Sequence, residues 1–433
     1  MKLLISDFYQ QATERFVESL ERAAIDFQHL TINYDGFLPA ASLLNPFAAA
    51  TGSLGMTDKA LHYNEIQVPE LYEIRNESGS RATILNGATV VGYVVYAPNT
   101  SRLVKEVQWL DAAGKLVLAE RYNRQGFKFA EGMFNAEQKE VKTLYYTAGG
   151  RKVLTLDHVT RALISEIDAQ PVVYENLTGF VVAYIRGLQL TADELIFNSL
   201  STPFFVSNAL TELPGTLYFQ EGIGKEIPGN MQSILEGKTA TRRILFENAK
   251  ELAKVEKLTK VKKVALDYLG TIEAFSRDNT FRPAALTLTR SDQILYDEAI
   301  ATTLAAQGII WTIAAPSEVS DKLRTFAGKH DNVKIREAIR LTEIDDLLAD
   351  NDIYLDLNQG TDTANAVQRA YLEGLLVVGD KTVLKNPGYE LVLEKEAEIT
   401  GLLARPDKAI ALKVLREKRG KPATVSDYQA AFK

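Results

Sequence analysis

Between residues 103 and 158 bulky and charged side chains alternate with a regular rhythm. Four turn-forming tetrads, Asp111-Ala112-Ala113-Gly114, Asn123-Arg124-Gln125-Gly126, Asn135-Ala136-Glu137-Gln138 and Thr147-Ala148-Gly149-Gly150, each begin twelve residues after the last. The eight-residue segments between them are rich in β-formers: Leu116-Val117-Leu118, Phe127 with Phe129, Val141 to Tyr146, and Val153-Leu154. Eight residues of strand and four of turn predict an antiparallel meander. The third tetrad has no glycine and is the weakest turn by composition. Ala88 to Tyr96 reads as a further strand upstream.

On both sides of the meander the period changes. Leu3-Leu4-Ile5 is a short apolar run, residues 10–24 carry apolar positions at helical spacing (Phe16, Leu20, Ala23), and Phe27 to Ile32 reads as extended. Gly36, Pro39, Pro46, Gly52 and Gly55 mark an irregular stretch. After the meander, Gly179 to Leu188 is helical, and Leu195-Ile196-Phe197, Phe204-Phe205-Val206, Leu217-Tyr218-Phe219 and Ile244-Leu245-Phe246 read as strands. A second series has apolar runs at 285–288, 309–313, 333–335, 353–355 and 375–378, with helical stretches between them. Alternating strands and helices predict parallel, doubly wound sheets. The expected class is α/β: two Rossmann-like domains facing a cleft, with the β-meander inserted in the first. The expected boundaries are 1–62 with 165–265, an insertion over 63–164, a second Rossmann-like domain over 266–405, and a C-terminal helical segment over 406–433.

Composition narrows the chemistry. The 433 residues are 46% hydrophobic and 24% charged, with a formal net charge of −7, which gives no general attraction for nucleic acid. There is no cysteine, so disulfides and thiolate chemistry are excluded. The four histidines stand singly at 29, 62, 158 and 330, and no metal or other cofactor is expected. No run of about 20 apolar residues occurs, and Met1 to Asp7 carries no signal-peptide pattern, so a cytoplasmic location is expected.

The motifs of nucleotide chemistry are incomplete. Gly237-Lys238-Thr239 ends like a phosphate-binding loop, but position 232 is Gln where the earlier glycine is required. Ser6-Asp7-Phe8-Tyr9 follows the first strand, so no glycine-rich turn is present there. Asp350-Asn351-Asp352 has a metal–diphosphate spacing, yet it follows an acidic stretch and reads as solvated acids. Retaining GT-B enzymes carry two glutamates eight positions apart ahead of a strand opened by glycine. Anchored on Gly374, those positions are Thr361 and Arg369. Arg290 is suitably placed after the first strand of the second series, but no lysine follows until Lys322. A diphosphate needs several converging donors, so their loss at two places points to a fold kept after its chemistry was lost. Asp362, Glu373 and Arg290 remain for the alternative, an active glycosyltransferase with an atypical donor site.

Asn198-Ser199-Leu200-Ser201-Thr202-Pro203-Phe204-Phe205-Val206 and Phe219-Gln220-Glu221-Gly222-Ile223-Gly224-Lys225-Glu226-Ile227-Pro228-Gly229-Asn230-Met231-Gln232 carry a resemblance. Asp35-Gly36-Phe37-Leu38-Pro39, Tyr63-Asn64-Glu65-Ile66, Trp109-Leu110-Asp111 and Arg121-Tyr122-Asn123 support it. The chain resembles the GtfB family, the stabilising subunits of UDP-N-acetylglucosamine–peptide N-acetylglucosaminyltransferase complexes acting on serine-rich repeat adhesins of the accessory Sec system. The resemblance implies a GT-B-like α/β fold with an inserted antiparallel β-sheet domain, a non-catalytic subunit in a hetero-oligomer with a GtfA-like catalytic glycosyltransferase, and an unfolded Ser/Thr-rich acceptor. It leaves room for peripheral contact with the cytoplasmic face of the cell membrane. An extended peptide adds readily along a sheet edge, and Tyr93, Tyr96, Trp109, Tyr122, Tyr145 and Tyr146 are the candidate acceptor contacts. Glu221, Glu226, Asn230 and Arg290 are candidates to face the cleft or the partner.

Overall fold

The computed structural model describes every residue except 40, 41, 56–58, 78, 79, 99, 101, 419 and 433. The chain forms two compact units, Met1–Thr271 with Thr424–Lys433, and Ile272–Ala423. The segment expected as one C-terminal piece, 406–433, is therefore divided between them.

The first unit opens with β1 (Lys2–Ser6), α1 (Gln11–Arg22) and β2 (Phe27–Thr31). The irregular stretch that follows contains a short helix, α2 (Pro46–Thr51). Asn45 caps it by accepting from the N–H groups of Phe47 and Ala48, and Pro46 supplies a first-turn φ.

The meander comes next: β3 (Tyr72–Asn76), β4 (Arg81–Asn86), β5 (Thr89–Tyr96), β6 (Val104–Leu110), β7 (Leu116–Tyr122), β8 (Lys128–Phe134), β9 (Glu140–Tyr146), β10 (Lys152–Asp157), β11 (Leu163–Ser165) and β12 (Val172–Tyr174). These ten strands form one antiparallel sheet in chain order, running past the expected boundary at 164. All four tetrads form the same turn. In the first, Gly114 N–H donates to Asp111 O (2.9 Å) and Asp111 N–H to Lys115 O (2.8 Å). The fourth residue of each tetrad is left-handed: Gly114, Gly126 and Gly150 by freedom, Gln138 at φ 60° despite its Cβ. Gln138 is held there by its own amide, which accepts from Leu116 N–H (2.9 Å) and donates to Leu116 O (3.0 Å). Two such bonds, about 0.5–1.5 kcal/mol each, offset a left-handed penalty of about 1–2 kcal/mol. Gln138→Gly is therefore expected within about 0.5 kcal/mol of the parent in denaturant unfolding, whereas Gly114→Ala loses about 1 kcal/mol.

The first unit then completes its parallel sheet: α3 (Leu177–Gly187), β13 (Glu194–Phe197), α4 (Thr202–Ala209), β14 (Gly215–Phe219), α5 (Gly229–Leu235), β15 (Thr241–Phe246), α6 (Ala249–Leu258) and β16 (Ala265–Tyr268). The order is β2-β1-β13-β14-β15-β16, all parallel. Phe204-Phe205-Val206, expected as a strand, lies inside α4. Pro203 in the first turn starts that helix, and a run of three apolar residues does not by itself distinguish strand from buried helix.

The second unit contains β17 (Ala284–Leu288), α7 (Asp297–Ala306), β18 (Ile310–Ala314), α8 (Asp321–Gly328), β19 (Val333–Arg336), α9 (Ile344–Ala349), β20 (Ile353–Asp356), α10 (Ala366–Leu372), β21 (Leu376–Asp380), β22 (Leu391–Leu393), α11 (Glu396–Leu403) and α12 (Ala409–Arg416). Its parallel order, β19-β18-β17-β20-β21-β22, reverses direction between β17 and β20. Trp311 is its largest fully buried side chain and donates Nε1–H to Thr287 Oγ1 (3.1 Å). The chain then returns to the first unit as α13 (Val425–Phe432), where Tyr428 meets Tyr218, whose ring stacks on Phe16. No helix among the described residues is long and apolar enough to cross a membrane.

Candidate functional site

The strand register assigns the meander aromatics to two faces. On one face Trp109 Nε1–H donates to Glu120 Oε2 (3.0 Å), Lys128 Nζ bridges Glu120 Oε1 (2.8 Å) and Glu131, and Tyr146 OH donates to Glu131 Oε2 (2.7 Å). Tyr122 shares this face; burial, then the Glu120 charge, pushes its hydroxyl up to about 12. The opposite face carries Arg121, paired with Glu106 (3.2 Å) and Glu140 (2.8 Å), and Thr143, placed between Glu140 (2.7 Å) and His158 Nε2 (2.7 Å). Tyr93 and Tyr145 belong to this second face. The Arg81 guanidinium covers Tyr93 at 4.5 Å from its ring centroid, and Tyr145 stacks on Phe47 at 4.6 Å. Tyr96 is buried in the core below β3–β6, with its OH donating to Asn76 Oδ1 (2.8 Å). The six aromatics therefore do not form one surface.

The second face closes over a cavity of about 610 Å³ made with the loops that follow β1 and β2. Tyr9, Phe37, Phe129 and Tyr145 supply its apolar walls, and Arg121, Glu140 and His158 its polar one. Gly36 fixes this arrangement. At φ 89° its carbonyl accepts from Arg124 N–H (2.9 Å), and a Cβ there would lie 2.4 Å from Tyr122 O. A neighbouring cavity of about 710 Å³ shares Leu156, His158 and Leu177 with the first, so the two adjoin. It is lined by α4 residues, including the half-exposed Phe205 and Asn208, whose Oδ1 is buried without a hydrogen-bond donor. Sequence reading did not single out Arg121, His158 or Asn208. The opposite charges at 106, 121 and 140, on β6, β7 and β9, were the available signal for the first.

Among the other candidates, Glu221 and Glu226 are exposed on the loop between β14 and α5. Asn230 is structural: its Nδ2 donates to Leu200 O (2.7 Å). In the second unit, Arg290 is exposed just beyond β17 and has no ion pair among the described residues. Thr361 is exposed, and Arg369 is paired with Asp345. Glu373 is paired with Arg277 at 3.3 Å. Asp362 is half-buried; burial and the Asp356 charge raise it to about 6, and it accepts from backbone N–H groups of Val367 and Ala366.

The Asp350-Asn351-Asp352 reading requires correction. Asp352 is fully buried, not solvated. It accepts from Arg277 Nη1 (2.7 Å), from the N–H and Oγ1 of Thr280 (3.1 Å each), and from Arg282 N–H (2.8 Å), Nε (3.0 Å) and Nη2 (2.8 Å). No cluster of three or more metal-ligating side chains occurs among the described residues.

Two parallel doubly wound sheets, with a ten-stranded antiparallel sheet inserted in the first, define a GT-B-like protein. A chain of the GtfA/B complex crystallised with UDP and GlcNAc matches with a TM-score of 0.88 at 30% identity, over 99% of this chain and 98% of that one. The Gap123 glycosylation-associated complex of Streptococcus agalactiae shares the fold, with a TM-score of 0.61 at 10% identity over 100% and 98%. Residues 72–175 match the GtfB middle domain, 178–258 the GtfB third domain, and 285–402 the GftB/GlyA-F C-terminal domain. The UDP-N-acetylglucosamine–peptide N-acetylglucosaminyltransferase stabilizing protein GtfB of Streptococcus gordonii is 33% identical over 88% of this chain and 85% of its own length. Its counterpart in Streptococcus pneumoniae is 34% identical over 88% and 86%. The chain belongs to the GtfB stabilising-protein family.

Proposed function

We propose that this chain is the non-catalytic member of a protein O-GlcNAc transferase hetero-oligomer. It stabilises a GtfA-like catalytic subunit and holds the unfolded Ser/Thr-rich acceptor. One observation carries the non-catalytic part. At the carboxyl ends of β17, β20 and β21, where doubly wound sheets bind ligands, the charged side chains are engaged with one another. Lys385 pairs with Asp356 and Arg369 with Asp345, while Glu373, at the opposite, amino end of β21, pairs with Arg277. Arg290 is exposed and has no ion pair among the described residues, and one exposed guanidinium does not hold a diphosphate. The same pairings weigh against the atypical-donor alternative, because Glu373 and Asp362 already have structural partners.

Acceptor handling is supported by the two adjoining cavities. Together they offer an aromatic-lined path with a charge-balanced wall, suited to a neutral, extended polypeptide. Asn208 Oδ1 lacks a donor that a peptide N–H would supply. This reading moves the acceptor from the sheet edge to the face of the meander that carries Arg121 and Tyr145, keeping Tyr145 from the original set and setting the other five aside.

The chain alone is expected to release no UDP from UDP-N-acetylglucosamine, while co-expression with a GtfA-like subunit raises that subunit's soluble yield and transfer activity. UDP release by the isolated chain would overturn the non-catalytic reading. Phe205→Ala with Asn208→Ala is expected to weaken capture of an unglycosylated Ser/Thr-rich peptide at least tenfold, a loss of about 1.4 kcal/mol. Unchanged capture would move the acceptor elsewhere.

A further inference from the structure

Three ionisable side chains meet out of solvent at the ends of β20 and β21. Asp356 and Glu390 are fully buried, and Lys385 is 5% exposed. Lys385 Nζ pairs with Asp356 Oδ1 and donates to Asn358 O (2.8 Å). Glu390 Oε1 accepts from Asn386 N–H (2.7 Å). Gly379 faces Asp356 across the two strands, and Glu390 packs over it so closely that a Cβ at 379 would lie 1.9 Å from Oε2.

Two carboxyl oxygens, Asp356 Oδ2 and Glu390 Oε2, are then buried with no donor from the chain. The two carboxyl groups are close neighbours. Ionised carboxylates are acceptors only, so two adjacent ones bond to each other only through a proton, and a single proton between them satisfies both orphaned oxygens. Charge gives the same count. One ammonium balances one carboxylate, and a second buried anion would be uncompensated. We infer that Asp356 and Glu390 share one proton, and that this proton with Lys385 makes residues 381–390 an alkali-sensitive latch on the second unit's sheet.

The surroundings oppose ionisation. The Asp356 charge raises Asp362, on the loop after β20, as it raises Glu390. Asp380 at the end of β21 is engaged by Thr382 N–H (2.8 Å) and Tyr296 OH (3.2 Å). Tyr354 on β20 is buried and neutral. Lys418 donates to the carbonyls of Pro387 (2.5 Å) and Glu390 (2.9 Å), so it ties the latch backbone. Burial, followed by the Asp356 charge, pushes Glu390 up to about 8. A carboxyl raised above its unfolded value stabilises fully below that unfolded value, and the contribution is lost as pH rises through about 8. On release the proton goes to solvent, and two carboxylates face each other against one ammonium.

The test uses the full chain. Infrared spectra at neutral pH are expected to show the carbonyl band of a protonated carboxyl, lost in alkaline buffer and missing in Glu390→Gln. Hydrogen exchange of the 381–390 amides in the parent, relative to Glu390→Gln at the same pH, is expected to rise about tenfold per pH unit above about 8. Glutamine donates an N–H to Asp356 and does not titrate. A flat ratio, or a band that persists in Glu390→Gln, overturns the latch. The band in the parent needs no variant: its absence at neutral pH overturns the shared proton even if Glu390→Gln fails to fold.

Discussion

Asp352→Ala lowers the stability of the second unit by about 3–5 kcal/mol, the cost of removing one partner from a buried ion pair. The side chain is fully buried and gathers donors from Arg277, Thr280 and Arg282, more than seventy residues earlier for the first. Without it, two guanidiniums and two backbone N–H groups lose their common acceptor, and the segment leading into β17 is released from β20. Calorimetry of the full chain should show the loss in the second unit's transition, while Asp350→Ala, two residues away and exposed, stays within about 0.5 kcal/mol. Equal midpoints for the two variants would show that the network is not stabilising. The pH dependence has a definite sign. Hydrogen bonds from Arg282 and Arg277 outweigh desolvation and hold Asp352 at about 2, so its contribution is present above the ordinary carboxylate range and lost as pH falls through about 2.

Gly36→Ala removes the cavity that we assign to the acceptor. The backbone is left-handed there, at φ 89°, and the new Cβ would meet Tyr122 O at 2.4 Å and Phe129 Cε1 at 2.9 Å. Backbone strain of about 1–2 kcal/mol and overpacking of about 1–3 kcal/mol add, so the loop after β2 lifts from the meander turn or the first unit loses stability by their sum. Gly52→Ala is the control: it is also left-handed, at φ 74°, but a Cβ there meets nothing within 4 Å. Peptide titration and thermal unfolding of both variants separate the effects. Gly36→Ala should lose acceptor capture, and Gly52→Ala should keep it with a small drop in midpoint. If Gly36→Ala captures peptide as the parent does, the cavity is not the acceptor path.

The assignment to the GtfB family agrees with the reading of Asn198 to Gln232 and of the turn at Asp35 to Pro39. The structure gives the latter a reason: Gly36 is the docking point of the inserted sheet on the first unit. The six aromatic candidates fared differently. Sequence alternation alone would keep side chains of successive strands in step. The hairpins from β4 to β10 instead carry a register shift each, as where Arg121 faces Ala130 but Tyr122 faces Lys128. One extra residue in a strand changes which side chains of neighbouring strands share a face. Tyr145 and Tyr146 are adjacent and separate by alternation alone, so Tyr145 lines the cavity while Tyr146 joins the Glu120–Lys128–Glu131 ladder outside it.

What the sequence settled alone is local. The twelve-residue rhythm determined the meander, because each turn closes its own hydrogen bonds within five residues and asks only for a residue tolerating the left-handed region at its fourth position. The alternation of helical and extended periods determined the two parallel sheets, because burial of one face imposes its period on any chain that forms it. Tertiary structure decided the rest. Asp352 became a buried anchor, and Asp356 and Glu390 became a proton-sharing pair, because desolvation and counter-charges arrive from residues distant in the chain. The energy of a charge depends on those neighbours far more than on the residues beside it in sequence.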